Sequence, residues 1–162
     1  MIGAAMQKAL NEQINRELFS AYVYLGLSAQ AMQAGFPGAA AWFRKQFEEE
    51  TEHALKLYDH ILERNGEVKL EAIAAPKVQF GSLLAAFEHT LEHERKVTAS
   101  IHQLADLAIK EKDHAARVML DWFVSEQVEE EANVQAVLDQ LRVGGKCSGG
   151  ILDIDRHLAK RE

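Results

Sequence analysis

Apolar residues recur every three or four positions along four long stretches of the chain, which is the spacing of one face of an α-helix. This pattern predicts helices over residues 4–33, 38–65, 82–110 and 113–142, and a short fifth helix over 151–160. Glycine, proline or Asn-Gly separates most of these stretches, and such residues end helices and begin turns. Regular alternation of three- and four-residue steps is typical of helices that cross at a shallow angle. We therefore expect an all-α four-helix bundle.

The lengths of the joins predict the directions of the helices. The joins around Phe36 and around Lys112 are short and can only reverse the chain, so the helices that flank them should be antiparallel. The join from Glu67 to Gly81 could span about 50 Å when extended, whereas a helix of about 28 residues is about 42 Å long. The second and third helices can therefore be parallel, in an up-down-down-up order with one long crossover. The fifth helix is too short to be stable alone, and we expect it to pack on another element, which could belong to another subunit.

The composition of the chain excludes several classes of function but does not itself indicate a functional site. The 162 residues are 48% hydrophobic and 27% charged, which fits one globular domain over 1–162. Cys147 is the only cysteine, so the chain cannot hold an internal disulfide or a cysteine-rich zinc or iron–sulfur site. A net charge of −7 with scattered basic residues argues against nucleic acid as a partner. The start of the chain has no signal-peptide core and no stretch is apolar enough to span a membrane, so we expect a cytoplasmic protein.

Four glutamates interrupt the apolar stripes, one near the middle of each long helix: Glu17, Glu50, Glu94 and Glu130. Helix midpoints share one level of a bundle whichever way the helices run, so these carboxylates should converge. Burial of an isolated carboxylate is costly, and the bases beside the stripes, Arg16 and Arg95, are too few to balance four negative charges. A pair of divalent metal ions would supply the missing charge. For any single glutamate, a misjudged face or a surface salt bridge is the alternative.

His53 adds a nitrogen donor to this set of carboxylates. It follows Glu50 by three residues, so both side chains lie on one helix face, as in the Glu-x-x-His motif of di-iron carboxylate bundles. The motif is common by chance, and its value here comes from the other three glutamates. Oxygen-rich ligation with one nitrogen suits Fe²⁺ or Mn²⁺ and could accept Zn²⁺. Among the other histidines, His93 adjoins Glu94 and is a candidate for the layer around the ligands.

Four segments together resemble one protein family. They are Glu17 before the aromatic run AYVY, the second-helix segment EEETEH, the third-helix segment FEH before Glu94, and the fourth-helix segment SEQVEEE. On these segments the chain resembles the non-haem ferritins of bacteria and archaea over essentially its whole length. The resemblance implies a ferritin-like four-helix bundle. It also implies that Glu17, Glu50 and His53 bind one iron, with Glu50 bridging to a second iron held by Glu94 and Glu130.

The resemblance extends to residues around the two irons. It implies that Gln127 lies beside the pair and that Tyr24 matches the tyrosine next to the centre. It also implies a third iron site formed by Glu49, Glu126 and Glu129, with Glu130 shared. Haem is not expected, because the haem-containing bacterioferritins have a second Glu-x-x-His where this chain has Gln127-x-x-Glu130.

The expected activity is that of a ferroxidase. Two Fe²⁺ held a few Å apart can each give an electron to O₂ or H₂O₂, because carboxylates stabilise Fe³⁺ more than Fe²⁺. The resemblance implies an iron-storage ferritin, a homo-oligomeric shell of twenty-four subunits that encloses ferric mineral. Two other functions stay open: a di-metal oxidase or peroxidase of small oligomeric size, and a structural or binding bundle whose core acids buffer metal or are inert. Particle size separates the first function from the other two.

Overall fold

The computed structural model describes residues 1–160, which form five helices. They are α1 (Ala4–Gln33), α2 (Pro37–Glu63), α3 (Leu83–Lys110), α4 (His114–Gly144) and α5 (Ser148–Leu158). The long helices begin and end within two residues of the expected positions, whereas α5 begins three residues early. The backbone carbonyl of Cys147 accepts from the N–H of Ile151, so the glycines expected to precede α5 form its first turn. Residues 161 and 162 of the expected domain lie outside the described range.

Two apolar clusters show how the four long helices run. One cluster joins the end of α1 to the starts of α2 and α3 and the end of α4, with Leu27, Ala39, Leu83 and Leu141 as members. The other joins the four opposite ends, with Leu10, Ile61, Ala108 and Leu120 as members. Helices α2 and α3 therefore start at the same end of the bundle, and the up-down-down-up order is confirmed. Within residues 1–160, none of these helices has the length and apolar character needed to cross a membrane.

The long crossover between α2 and α3 is held along α1 by side-chain amides. The Asn11 amide donates to the carbonyl of Glu67 (3.0 Å), and its oxygen accepts from the N–H of Lys69 (2.7 Å). Further along, Val78 covers Gly26 so closely that a Cβ there would lie 2.9 Å from a Val78 methyl group. The extended chain obtains from α1 the hydrogen bonds that a neighbouring strand would otherwise supply. This path carries the chain from one end of the bundle to the other.

Helix α5 packs on its own bundle through a buried aspartate. The Asp155 carboxylate accepts from the N–H groups of Ala39 (2.8 Å) and Gly38 (3.1 Å), and so caps the start of α2. A Cβ on Gly38 would collide with the backbone carbonyl of Asp155. The partner that the short helix needs is therefore the start of α2, together with the end of α4.

A thin layer of buried polar side chains separates the two apolar clusters. On α1, for example, the layer lies between Leu10 of one cluster and Val23 of the other. Its buried members are Gln13, Glu17, Ser20, Gln46, Glu50, His53, Glu94, Gln127 and Glu130. All four long helices contribute to it near their midpoints, which places the candidate chemistry at one level of the bundle.

Candidate metal centre

The four glutamates that interrupt the apolar stripes are all buried at the level of the polar layer. Glu17, Glu50, Glu94 and Glu130 are each 2% exposed or less. Arginine and lysine side chains are absent from the buried residues in the described range 1–160. Four carboxylates therefore lie close together without a buried cation from this part of the chain, and a bound positive charge would relieve their mutual repulsion.

On the α1–α2 side, Glu17, Glu50 and His53 each place a possible ligand atom within 4.8 Å of the others. The His53 Nδ1 atom lies 3.7 Å from Glu50 Oε2. Glu17 Oε2 and both oxygens of Glu50 are buried and receive no hydrogen bond from residues 1–160. We call these three atoms the unpaired oxygens. A buried acceptor without a hydrogen-bond donor is rare in folded proteins. These acceptors lie beside an imidazole nitrogen that could bind the same metal ion.

Three buried glutamine amides supply hydrogen bonds to the other carboxylates. Gln13 Nε2 donates to Glu17 Oε1 at 2.8 Å. Across the bundle, Gln46 Nε2 donates to Glu130 Oε2 at 2.8 Å, and Gln127 Nε2 donates to Glu94 Oε2 at 3.2 Å. Thus Glu17, Glu94 and Glu130 each have an amide donor. Glu50, the residue expected to bridge two metal ions, has both oxygens among the unpaired oxygens.

Tyr24 and His93 complete the wall on the α3 side. The Tyr24 hydroxyl donates a short hydrogen bond to Glu94 Oε1. Burial raises the pKa of Tyr24 well above 10, and the nearby carboxylates add to the shift, so the side chain stays a phenol. His93 lies edge-on to Tyr24, with ring centroids 6.3 Å apart, and its Nε2 is 2.8 Å from Ser20 Oγ. Burial lowers the pKa of His93 to about 4, so this ring adds no charge.

The electrostatics of the layer favour a bound cation. Burial raises the pKa of Glu50 well above its usual range, and the charges of Glu94 and Glu17 raise it further. Burial also raises the pKa of Glu94 to about 7, against the hydrogen bonds from Tyr24 and Gln127. The His53 ring packs edge-on against Trp122 at 5.5 Å, and burial lowers its pKa. A neutral imidazole next to ionisable oxygens is a donor set for a divalent metal ion.

Comparisons with known proteins identify the family. The family model described as Ferritin-like domain matches residues 7–143. A bacterial non-heme ferritin of Bacteroides fragilis is 41% identical over 161 residues, which is 99% of this chain and 100% of the relative. One from Campylobacter jejuni is 35% identical over 158 residues, 98% of this chain and 95% of the relative. The chain belongs to the ferritin-like family.

Solved structures of the family share the whole fold. The open pore ferritin from the hyperthermophilic archaeon Archaeoglobus fulgidus is 43% identical, with a TM-score of 0.98 and full coverage of both chains. A structure described as a humanized archaeal ferritin matches with 42% identity and the same TM-score, over 100% of this chain and 98% of that chain. These matches confirm the ferritin-like four-helix bundle with a short C-terminal helix.

The structure brings together only some of the acids that were expected to form a third iron site in this chain. His53, Glu126 and Glu130 form a second group whose possible ligand atoms lie within 4.8 Å of one another. His53 Nε2 is 4.0 Å from Glu126 Oε1, on the other side of the ring from Glu50. Glu49 is half-buried and Glu129 is exposed. Helix α4 thus turns Glu126 toward the imidazole and leaves Glu129 at the surface, and the roles of these acids stay predictions.

Several residues that contact the buried carboxylates of the polar layer were not expected from the sequence. Gln13 and Gln46 each lie four residues before a glutamate of the layer, on the same inward helix face. That spacing could have revealed them. Thr98 joins the network because it accepts from Gln127 (3.3 Å) and donates to Glu131 (2.7 Å). These side chains orient the carboxylates and contribute no charge of their own.

Proposed function

We propose that this chain is an iron-storage ferritin whose subunits oxidise Fe²⁺ at a di-iron centre in the polar layer. The observation that carries the proposal is the set of unpaired oxygens on Glu17 and Glu50 beside the neutral ring of His53. Buried carboxylates in contact with one another need a compensating positive charge, and two divalent ions supply it. Membership of the ferritin-like family supports iron as that ion.

Each Fe²⁺ has its own side of the centre. The first is held by Glu17, Glu50 and His53, whose possible ligand atoms lie together. The second is held by Glu94 and Glu130, and Glu50 bridges the two ions because both of its oxygens are available. The Gln127 and Tyr24 side chains bond to Glu94 and hold it in place. Bridging by one carboxylate fixes the separation of the two ions, which a two-electron reaction requires.

The substrate is Fe²⁺, and each ion loses one electron. With O₂ as oxidant, two electrons and two protons give H₂O₂; with H₂O₂ as oxidant, two electrons and two protons give two molecules of water. Either oxidant balances the reaction, and the ratio of Fe²⁺ consumed to O₂ consumed distinguishes them. Carboxylate ligands stabilise the Fe³⁺ product. The protein contributes by orienting ligands, excluding water and keeping Tyr24 and His53 neutral.

Oxidised iron then leaves the centre toward a mineral. Glu126 is half-buried, with its Oε1 atom 4.0 Å from His53 Nε2, whereas Glu129 is exposed and Glu49 is half-buried. These acids form a third iron position on the way out, with Glu130 shared. We infer that twenty-four subunits enclose the ferric mineral in a cytoplasmic shell and that the protein uses no haem. Family membership supports this assembly.

Particle size and iron retention test the storage function. The purified protein is sized by light scattering, given Fe²⁺ under air and sized again, with iron counted per particle. The expected result is a particle about twenty-four times the 18.1 kDa chain that oxidises and keeps iron. A monomer or dimer that turns over Fe²⁺ without keeping it would instead indicate a di-metal oxidase. A large particle that neither oxidises nor retains iron would leave only a structural bundle.

A pair of matched variants tests the location of the centre. Glu50→Ala combined with His53→Ala removes two proposed ligands from α2 and should abolish rapid oxidation. The control combines Glu48→Ala with His60→Ala, which changes the same residue types on the same helix at positions outside the polar layer. The control should keep its oxidation rate. An unchanged rate in the first double variant would overturn the assignment of the centre.

A further inference from the structure

Gln13 contacts the proposed first iron site without being one of its ligands. It is fully buried and lies one turn before Glu17 on the inward face of α1. Its Nε2 atom donates a 2.8 Å hydrogen bond to Glu17 Oε1. Glu17 Oε2 belongs to the unpaired oxygens. The two oxygens of this carboxylate therefore differ: one is held by the protein and the other faces the metal-binding side.

Arg16 determines which end of the Gln13 amide faces Glu17. Its Nη1 atom donates to Gln13 Oε1 at 3.2 Å. A guanidinium group has only donors, so it can face the carbonyl oxygen of an amide but not the –NH₂ group. A reversed amide would place its –NH₂ group against Arg16 and its oxygen against the carboxylate, with two repulsive contacts. Arg16 thus acts on Glu17 through Gln13, from an exposed position on the bundle.

We propose that Gln13, oriented by Arg16, is a positioning residue that makes Glu17 a single-oxygen ligand of the first iron. The amide holds Oε1, so Oε2 is directed toward Glu50 and His53. Hydrogen-bond partners of metal ligands commonly set ligand orientation and metal affinity. The inference rests on the proposed function, because it assumes that Glu17, Glu50 and His53 bind one ion.

The groove that contains Arg16 also offers a matched control. Arg16 and Lys96 line the same groove of about 380 Å³ between α1 and α3. Lys96 pairs with Glu92 at 2.7 Å, on the surface of α3. Substitution of either residue by alanine removes one positive charge from this groove. Only the Arg16 change also releases the hydrogen bond that orients Gln13, so a difference between them reports that bond.

Calorimetric titration of the assembled, metal-free protein with Co²⁺ alone tests the inference. We expect the tighter of two Co²⁺ sites to be the one formed by Glu17, Glu50 and His53. Gln13→Leu should weaken Co²⁺ binding there by about 10- to 100-fold, the usual effect of losing the hydrogen-bond partner of a metal ligand. Arg16→Ala should weaken it by roughly 3- to 10-fold, because the amide is left but not oriented. Arg16→Lys should restore affinity to within about 3-fold, since an ammonium group also donates to the amide oxygen. Lys96→Ala should bind Co²⁺ like the wild type.

A double-mutant cycle separates positioning from packing. In a Glu17→Gln background, Gln13→Leu should cause no further loss of Co²⁺ affinity, because the ligand that it positions is already gone. An equal loss in both backgrounds, or wild-type affinity in Arg16→Ala, would overturn the inference while leaving the di-iron centre intact. A wild-type protein that binds no Co²⁺ would instead overturn the proposed function. If Gln13→Leu does not assemble, the Arg16 variants on the surface decide the question.

Discussion

The α1–α2 and α3–α4 halves of the centre occupy equivalent positions in the bundle but are built differently. The same number of residues separates Glu17 from Glu94, Glu50 from Gln127, and His53 from Glu130. In the α1–α2 half, the unpaired oxygens lie beside a neutral imidazole. In the α3–α4 half, both oxygens of Glu94 accept hydrogen bonds, one from Gln127 and the other from Tyr24 of α1 across the bundle. The unpaired oxygens of the first half need a bound cation, whereas both oxygens of Glu94 in the second half already accept hydrogen bonds from the protein.

This difference explains how the bundle can hold four buried carboxylates and still fold. Every buried carboxylate without a donor raises the free energy of the metal-free fold, and the hydrogen bonds to Glu94 reduce that cost in the α3–α4 half. It also predicts an order of binding. The first ion binds at Glu17, Glu50 and His53, and the second must compete with hydrogen bonds already made to Glu94.

The variant Glu50→Gln removes the difference by giving both halves a glutamine. We expect the rate of Fe²⁺ oxidation to fall by about 100-fold or more, because no residue then bridges the ions. The metal-free protein should become more stable by about 1–3 kcal/mol, since a buried carboxylate becomes a neutral amide. Stopped-flow oxidation and denaturant unfolding measure the two effects. Glu48→Gln, an exposed change on the same helix, is the control, and a stability loss in Glu50→Gln would contradict the explanation.

The stability of the metal-free protein should depend on pH through one glutamate of each half, Glu94 and Glu50. Burial raises the pKa of Glu94 to about 7 and raises that of Glu50 well above its usual range, whereas an unfolded glutamate has a pKa of about 4.3. The folded state then binds more protons between these values, so stability is full below about pH 4.3 and is lost as pH rises through about 7. Glu94 alone should account for on the order of 3 kcal/mol of this loss in the free energy of unfolding.

Unfolding of the wild type and of Glu94→Gln at pH 5 and pH 8 measures this contribution. The wild type should lose more stability than the variant between the two pH values. Saturation with Co²⁺ should abolish or reverse the loss, because a bound cation favours the ionised carboxylates. Equal pH profiles for the two proteins would show that Glu94 titrates in the fold as it does in the unfolded chain.

The parts of this centre that the sequence predicts are those that violate its pattern. A charged residue on an apolar stripe is costly, so Glu17, Glu50, Glu94 and Glu130 stand out without a structure. A glutamine at such a position is less conspicuous, because a neutral amide needs only a partner. The hydrogen bond from Gln46 to Glu130 joins residues 84 apart in the chain. Such pairing depends on side-chain rotamers across the bundle, which periodicity does not determine.

The start and the docking of α5 are also features that periodicity does not determine. The four long helices follow from stripes and breakers, because long periodic segments carry a strong signal. The start of α5 was expected too late because paired glycines were treated as a break, whereas they form its first turn. The contact that docks this helix, from Asp155 to the start of α2, joins residues more than one hundred positions apart. Nothing local in the sequence indicates it.

The variant Tyr24→Phe makes the α3–α4 half more like the other half. Glu94 Oε1 would lose its hydroxyl donor, so the pKa of Glu94 should rise further and the metal-free protein should lose about 1–2 kcal/mol at pH 8. Tyr22→Phe makes the same chemical change two residues earlier, where the side chain is 49% exposed, and should leave stability unchanged. Denaturant unfolding at pH 8 compares the two variants, and equal losses would rule out a specific role for the Tyr24 hydroxyl.

The smallest expected effect concerns Thr98, which supports only the α3–α4 half. Thr98→Val keeps the shape of the side chain but removes the acceptor for Gln127 and the donor to Glu131, so stability should fall by about 0.5–1 kcal/mol. The weaker Co²⁺ site should lose at most about 3-fold in affinity, and the tighter site should not change. Thr51→Val is the matched control, because among residues 1–160 its hydroxyl bonds only to the carbonyl of Phe47 in its own helix. Equal weakening of both Co²⁺ sites would mean that one shared network orients all four carboxylates; weakening confined to the second site would mean that each half has its own.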